Sequence, residues 1–185
     1  MLSAARRGTR RGGRRRVIWS CMGDQAQTAI RPAAAADAPR LAELLTELGY
    51  PASAGAVHER LAYWLPDQAS RVLIAERGGR IVGCLSLHAI PYLERTGRWM
   101  RIESLVVDQR ERRAGTGRAL VDAAGQLASE WDCLLIEVTS LRSRADAHAF
   151  YRRLGYTDSC DRSGRFIKEL AGDERTGPGG DTLSG

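Results

Sequence analysis

Leucines at positions 41, 44, 45 and 48 recur at the three- and four-residue intervals of one helical face. Asp37 stands where an N-cap is expected, Pro39 suits the first turn and Gly49 supplies the stop. A second helical stripe follows in Val57, Leu61, Trp64 and Leu65, opened by Ser53 and closed by Pro66. The pattern then changes. Residues 72–76 and 81–88 are rich in Val, Ile and Leu, and the Gly78-Gly79 dipeptide between them predicts a tight hairpin. Residues 27–31 read as a short first strand and residues 101–107 as a third long one. Helical spacing returns over residues 115–130, with Leu120, Ala123, Ala124 and Leu127 on the apolar side. It returns again over residues 144–154, where Ala147, Phe150, Tyr151 and Leu154 form the stripe and Gly155 ends it. Between these helices, residues 134–138 read as a short, apolar strand of the buried type. Residues 165–170 are expected to close the fold as a last strand. The order β-α-α-β-β-β-α-β-α-β predicts an α/β fold in which a mixed sheet carries helices on its faces.

Composition divides the chain into three parts. A length of 185 residues suits one compact domain. All the periodic signal lies in residues 24–170. Residues 171–185 are rich in Gly and polar side chains and are expected to be a disordered tail. Residues 1–23 form a basic arm: Arg6, Arg7, Arg10, Arg11, Arg14, Arg15 and Arg16 lie there without an acid among residues 1–21. The chain holds 28 basic and 22 acidic residues, so without those arginines it is close to neutral. The net charge of +6 is therefore a property of the arm. Such an arm can bind nucleic acid or anionic lipid, or serve as a transit peptide. It can also be a plain disordered extension, or lie upstream of a working start at Met22; the plain extension is the expectation taken here. No apolar core follows the arginines, so a secretory signal is not expected. No apolar run approaches the roughly 20 residues that span a bilayer.

Cysteines at 21, 84, 133 and 160 show no metal-ligand spacing, and no metal site is expected. Cys84 and Cys133 lie within apolar runs and read as small buried hydrophobes. Reduced thiols and a cytoplasmic location fit this pattern.

The chemistry concentrates in residues 101–120, RIESLVVDQRERRAGTGRAL. A strand ends at Val107, an arginine-rich turn follows, and a helix begins near Gly115 and Gly117. A helix N-terminus offers backbone N–H groups without intrahelical partners and the positive end of the helix dipole. Glycines there let a bulky anion approach the backbone, and Arg112, Arg113 and Arg118 add positive charge. The combination suits a pyrophosphate. The spacing of the ATP-binding phosphate loop is absent, and Leu120 stands where GxGxxG would need its third glycine. The alternative is a glycine-bearing turn with solvated arginines.

A second segment bears on that choice. Arg112-Arg113-Ala114-Gly115-Thr116-Gly117 resembles the [Q/R]-x-x-G-x-[G/A] signature of the GNAT superfamily of N-acetyltransferases. Residues 147–156, AHAFYRRLGY, resemble the second motif of that superfamily, A-x-x-F-Y-x-x-x-G-[F/Y]. Both stand in the expected order, with a strand between them. Residues 102–107 look like the central strand of the family, and the resemblance covers residues 27–170.

The resemblance implies a twisted mixed sheet whose central strands splay to admit the pantetheine arm of acetyl-CoA, the expected cosubstrate. Backbone groups of Leu105, Val106 and Val107 would pair with that arm. Backbone N–H groups of Arg112, Arg113, Ala114, Gly115, Thr116, Gly117 and Arg118 would hold the pyrophosphate. One departure stands out: many similar sequences place Asn where this chain has Leu141, which removes one polar contact to the cofactor.

Acetyl transfer to an amine needs two proton movements. An amine with a pKa of about 10 is mostly ammonium at neutral pH and must lose a proton before it can attack a thioester. Glu103 is the candidate base. It lies on the strand that would present the acetyl group, and simple alternation puts it on the face of Leu105 and Val107. Its alternative role is to orient substrate or balance Arg101 or Arg98. Tyr151 matches the general acid of the family; its alternative role is packing beside Phe150. His148 points about a quarter turn from Tyr151, and His58 and His88 read as structural. Tyr63, Trp64, Tyr92 and Trp99 are candidates for the acceptor pocket.

The leading function is therefore N-acetylation of a primary amine, on a small molecule or a peptide. A non-catalytic acyl-CoA sensor and a nucleic-acid-associated protein using the arginine arm are the alternatives. Neither a membrane nor, apart from the arm, nucleic acid is an expected partner, and a homodimer is compatible with the fold.

Overall fold

The computed structural model describes residues 19–20, 28–160, 162, 164 and 166–168 of the 185. Six strands lie side by side in chain order: β1 (Trp19–Ser20), β2 (Ala29–Pro32), β3 (Ser70–Arg77), β4 (Arg80–Pro91), β5 (Arg98–Val107) and β6 (Cys133–Val138). Neighbours from β1 to β5 are antiparallel, and β5 and β6 are parallel. Helices α1 (Ala38–Leu48) and α2 (Ala54–Trp64) join β2 to β3, α3 (Thr116–Glu130) joins β5 to β6, and α4 (Ala145–Arg153) follows β6. This is an α/β mixed sheet with helices on its faces.

Each face has its own core. Leu73, Leu85, Leu87, Met100 and Ile102 pack against Leu120, Ala124 and Leu127 of α3, with Phe150 and Leu154 from the last helical region at the margin. Val72, Ile74, Cys84 and Val106 face the other way and pack against Leu41 and Leu44 of α1 and Val57 and Leu61 of α2. The expected stripes of α1, α2 and α3 thus turn to the two cores as helical periodicity requires, except that Leu65, past the end of α2, is exposed. Burial also pushes the Cys84 thiol up to about 12, so it stays protonated and inert.

Local signals act largely as read. Ser53 Oγ accepts the Ala56 N–H at 3.1 Å and caps α2. Gly49 ends α1 at φ 102°, and Gly78 and Gly79 turn the hairpin at φ 56° and 74°. Asp37 differs from expectation. Its carboxylate does not cap α1; it accepts from the Ala34 N–H at 2.8 Å and from both terminal nitrogens of Arg31 at 2.7 and 2.9 Å. It therefore ties β2 to the helix entry. Burial raises its pKa, but the Arg31 and Ala34 hydrogen bonds outweigh that and hold it below the usual carboxylate value.

The strand expectations need several corrections. The long strands begin and end beyond the Val/Ile/Leu runs, because cross-strand hydrogen bonds extend through Arg98 and Pro91. The last helix is also shorter than its 144–154 stripe, and none of its residues is fully buried. The strand read as buried, β6, leaves Leu134 58% and Leu135 45% exposed. Among the described residues it has one strand neighbour, so it is an edge. Phe166, Ile167 and Lys168, within the expected last strand, are in no strand, and Phe166 and Ile167 are exposed. Adjacent apolar residues would face opposite sides of a strand, so this segment presents no one-sided apolar face. In the N-terminal arm, Trp19–Ser20 pairs with Ile30 and Ala29 of β2. The rest of the arm and residues 171–185 lie outside the described residues.

Two irregularities shape the middle of the sheet. Pairing of β5 with β6 ends at Ile102 opposite Val138, yet β5 runs on to Val107. The two parallel strands therefore part. Beside that point the β4–β5 register slips between Ser86, opposite Ser104, and Leu87, opposite Ile102, leaving Glu103 as the extra residue of a bulge.

Gly83 marks how closely β4 and β5 approach above the parting. A Cβ there would stand 2.9 Å from the Val106 carbonyl oxygen and 3.3 Å from Leu120 Cδ1. Gly83→Ala is predicted to destabilise the fold by about 1–3 kcal/mol, the usual range for overpacking. A lowered urea midpoint with an unchanged slope checks this; an unchanged midpoint would show that the strands separate freely.

Candidate active site

Past Val107 the chain makes a 3-10 turn at Gln109–Glu111, extends at Arg112 and twists twice, with φ 65° at Arg113 and 82° at Gly115. Helix α3 starts at Thr116. Its first N–H groups have no acceptor within the helix, by helix geometry, so the turn ends in free donors and positive dipole. The run 112–118 thus forms one continuous turn beside the free half of β5. Its arginines are differently engaged. Arg112 Nε donates to the Val107 carbonyl at 3.3 Å, and Arg118 pairs with Asp122 one turn on at 3.3 Å.

The turn is braced from below by a residue that the motif reading missed. Arg77, at the end of β3, donates to Glu111 Oε2 at 2.9 Å, the Ala114 carbonyl at 3.0 Å and Thr116 Oγ1 at 3.3 Å. The same guanidinium holds Thr28 Oγ1 at 2.8 Å. One mostly buried cation therefore fixes the beginning, middle and end of the turn. Its sequence signal was weak, because an arginine next to a hairpin glycine usually reads as solvated. Gly117 packs where a Cβ would lie 3.4 Å from the Phe150 ring and 3.7 Å from Val107 Cγ2, so both motifs meet at β5.

The bulge corrects the placement of Glu103. The side chains of Leu105 and Val107 pack toward the α3 core. Glu103 instead meets Arg101 at 2.8 Å, on the opposite face. An inserted residue shifts the strict alternation on which the expectation rested. Val106 is buried toward α1 and α2. The backbone of Leu105, Val106 and Val107 is paired to β4 on one side and lies beyond the last β6 pair on the other.

Tyr151 stands half-buried on α4, 5.2 Å from the Phe150 ring and 5.5 Å from the Tyr156 ring, edge-on to both. Burial, aided by Tyr156 and opposed by Arg144, pushes its phenol up to about 12, so it carries its proton throughout the neutral range. It is thus a protonated phenol set within an aromatic cluster. His148 is half-buried on the same helix, and Leu141 is exposed, 59% by area.

The face toward α1 and α2 changes character from one end to the other. Ile74, Cys84 and Val106 lie in one cross-strand row, Val72, Ser86 and Ser104 in the next, and Ser70, His88, Arg101 and Glu137 in the third. The apolar core gives way to polar side chains at the level where the strands part. Ser86 Oγ and Ser104 Oγ are 2.6 Å apart, and Arg101 reaches Glu137 at 2.9 Å. Trp64 lies over His88 at 4.2 Å between ring centroids, while Tyr63 is exposed. These partners come from register, which spacing along the chain does not reveal.

Parted parallel strands beside a braced, glycine-bearing turn at a helix N-terminus can hold an extended ligand with an anionic end. The chain belongs to the acetyltransferase (GNAT) family, whose model matches residues 38–156. The family uses acetyl-CoA as its cosubstrate. An aminoalkylphosphonate N-acetyltransferase of Salmonella typhimurium is 35% identical over 97 residues, 52% of this chain. The match spans 61% of that relative's length. A transcriptional regulator from Bacillus halodurans superposes with a TM-score of 0.69 at 25% identity, over 77% of this chain and 99% of its own. A GNAT family acetyltransferase from Staphylococcus aureus gives 0.65 at 21% identity, over 77% and 98%, a likeness of fold.

Replacing the brace tests what holds the turn. Arg77→Met keeps the aliphatic stem and removes the hydrogen bonds. It is predicted to weaken acetyl-CoA about tenfold, equivalent to roughly 1.4 kcal/mol, with the melting temperature lowered by only a few degrees. Calorimetric titration measures this; unaltered affinity would show that the turn keeps its shape without Arg77.

Proposed function

We propose that this chain transfers the acetyl group of acetyl-CoA directly to the primary amine of a small molecule or peptide. The observation that carries the reading is the parting of β5 from β6 after Ile102, immediately before the turn at 112–118. The pantetheine arm would lie along Leu105, Val106 and Val107, adding the backbone partners that β6 does not supply. The pyrophosphate would rest on the N–H groups of Arg112, Arg113, Ala114, Gly115, Thr116, Gly117 and Arg118. The amine would approach from the α1 and α2 side, over the serine pair and Arg101. The name of the Salmonella relative supports a small amine as acceptor.

In the reaction the amine nitrogen attacks the thioester carbonyl carbon and the carbon–sulfur bond breaks. Glu103 would take up the ammonium's proton or orient the ammonium for another acceptor, and the Tyr151 hydroxyl would protonate the leaving thiolate. A phenol that stays protonated at neutral pH supports the second role. A cytoplasmic setting is consistent with the free cysteines Cys84, Cys133 and Cys160. No described helix is long and apolar enough to cross a membrane.

Two substitutions test the two halves of the site. Gly117→Glu places a carboxylate where the pyrophosphate would sit. It is predicted to abolish the melting-temperature rise caused by acetyl-CoA, which for binding to the native state at a hundredfold excess over Kd is worth about 2.7 kcal/mol. Circular dichroism should remain near wild type, and retained tight binding would place the phosphates elsewhere. Tyr151→Phe keeps the ring and deletes the hydroxyl. The chemical rate should fall by about 10²–10⁴ at every pH, with acetyl-CoA affinity unchanged. Wild-type single-turnover rates would show that the thiolate leaves unaided.

A further inference from the structure

The third polar row contains a chain of hydrogen bonds that the steps above leave unused. Ser70, at the start of β3, is almost fully buried. Its Oγ contacts Asp67 Oδ2 in the turn before β3 and lies 2.5 Å from His88 Nδ1 on β4. Asp67 Oδ1 is also engaged, accepting the Ala69 N–H at 2.9 Å. Trp64, at the end of α2, covers the imidazole at 4.2 Å and sets its plane. Arg101 is the β5 partner of His88, so both side chains rise from the same face.

The order of protons follows from the donors available. A carboxylate only accepts, so the single hydroxyl proton of Ser70 goes to Asp67. Ser70 Oγ is then the acceptor toward His88, and Nδ1 must carry a proton. A neutral imidazole has one N–H, which leaves the Nε2 lone pair free. Asp67 is held below the usual carboxylate range, first by the Ser70 hydroxyl and next by the Ala69 N–H, so this order persists through the neutral range.

Resting on the acetyltransferase reading above, we propose that His88 is a proton acceptor for the amine, and that Asp67 and Ser70 fix the tautomer that makes it one. Glu103 has its charge already compensated by Arg101 at 2.8 Å. Among the described residues no acidic side chain pairs with His88 Nε2, while its other ring nitrogen is tied through Ser70 to Asp67. The charged groups facing it are Asp67 from the α2–β3 turn and Arg101 from β5, and Arg101 is balanced by Glu103 and Glu137. The α2 group against it is the uncharged indole of Trp64. In the step, the ammonium N–H bond breaks, its electron pair stays on nitrogen, and the proton bonds to Nε2. The free amine attacks, and the imidazolium returns its proton to solvent before the next turnover. Asp67 and Ser70 are positioning residues; His88 would touch the reacting amine.

The test uses the full chain, acetyl-CoA and a panel of primary amines, with thiol release as the readout. His88→Asn retains a donor near Ser70 and removes Nε2. It is predicted to lower kcat by about 10²–10⁴, most strongly at low pH, with the KM for acetyl-CoA unchanged. Ser70→Ala, the second variant, keeps the imidazole and breaks the relay. It should lower kcat about tenfold and move the acidic limb of the pH profile. Nitrogen-15 NMR of labelled histidine, assigned by comparison with the His88→Asn spectrum, should show the Nδ1–H tautomer for His88 in the wild-type chain. A wild-type rate in both folded variants, or an Nε2–H tautomer, overturns the proposal. Should His88→Asn fail to fold, the Ser70→Ala rate and the tautomer decide it. Absence of wild-type thiol release with every amine would instead sink the acetyltransferase reading itself, whereas an active wild type with indifferent variants sinks only the role of His88.

Discussion

Backbone N–H and C=O groups have to be satisfied, and β5 brings that requirement to the centre of the sheet. Its pairing with β6 stops at Ile102 while the strand continues for the five residues from Glu103 to Val107. On that side no strand among the described residues completes the ladder. A strand edge inside a sheet can be covered by an extended ligand, and pantetheine has the length and the amide groups to pair with one. The helices are arranged around this opening. The first turn of α3 lies at its open end, α4 packs against Gly117 and Val107, and α1 and α2 cover the opposite face of the sheet.

Two features convert the opening into a directed site. Arg77 secures the 112–118 turn through Glu111, Ala114 and Thr116, so the N–H groups proposed to hold the pyrophosphate are already fixed in place. Preorganised donors need less ordering on binding than mobile ones. The bulge at Glu103 separates the two functions of β5. Leu105 and Val107 pack with the α3 core, while Glu103 and Arg101 turn toward the face expected to receive the amine. In the proposed reaction the donor and the acceptor would meet at this one strand from opposite sides.

Much of this was legible in the sequence because its causes are local. The leucine spacing of α1, the Ser53 cap, the glycine hairpin and the two motifs around Gly117 and Tyr151 each depend on residues a few positions apart. What was not legible depends on register. Glu103 was assigned by alternation, which a bulge interrupts without changing composition. His88 gained Ser70 and Arg101 as partners through pairing across three strands. Arg77 gained its role through residues 34–39 positions away. Leu134 and Leu135 looked buried because an apolar run does not say how many neighbours a strand has. Asp37 looked like a cap because the sequence does not show that Arg31 competes for the same carboxylate.

The central claim is that the cosubstrate completes the ladder of β5. Amide hydrogen exchange measured with and without acetyl-CoA tests it residue by residue. The account predicts slowed exchange at the amides among 103–107 that face away from β4, together with those of the 113–118 turn, while amides already bonded to β4 change little. Tight binding of acetyl-CoA with no added protection anywhere in 103–107 would contradict it.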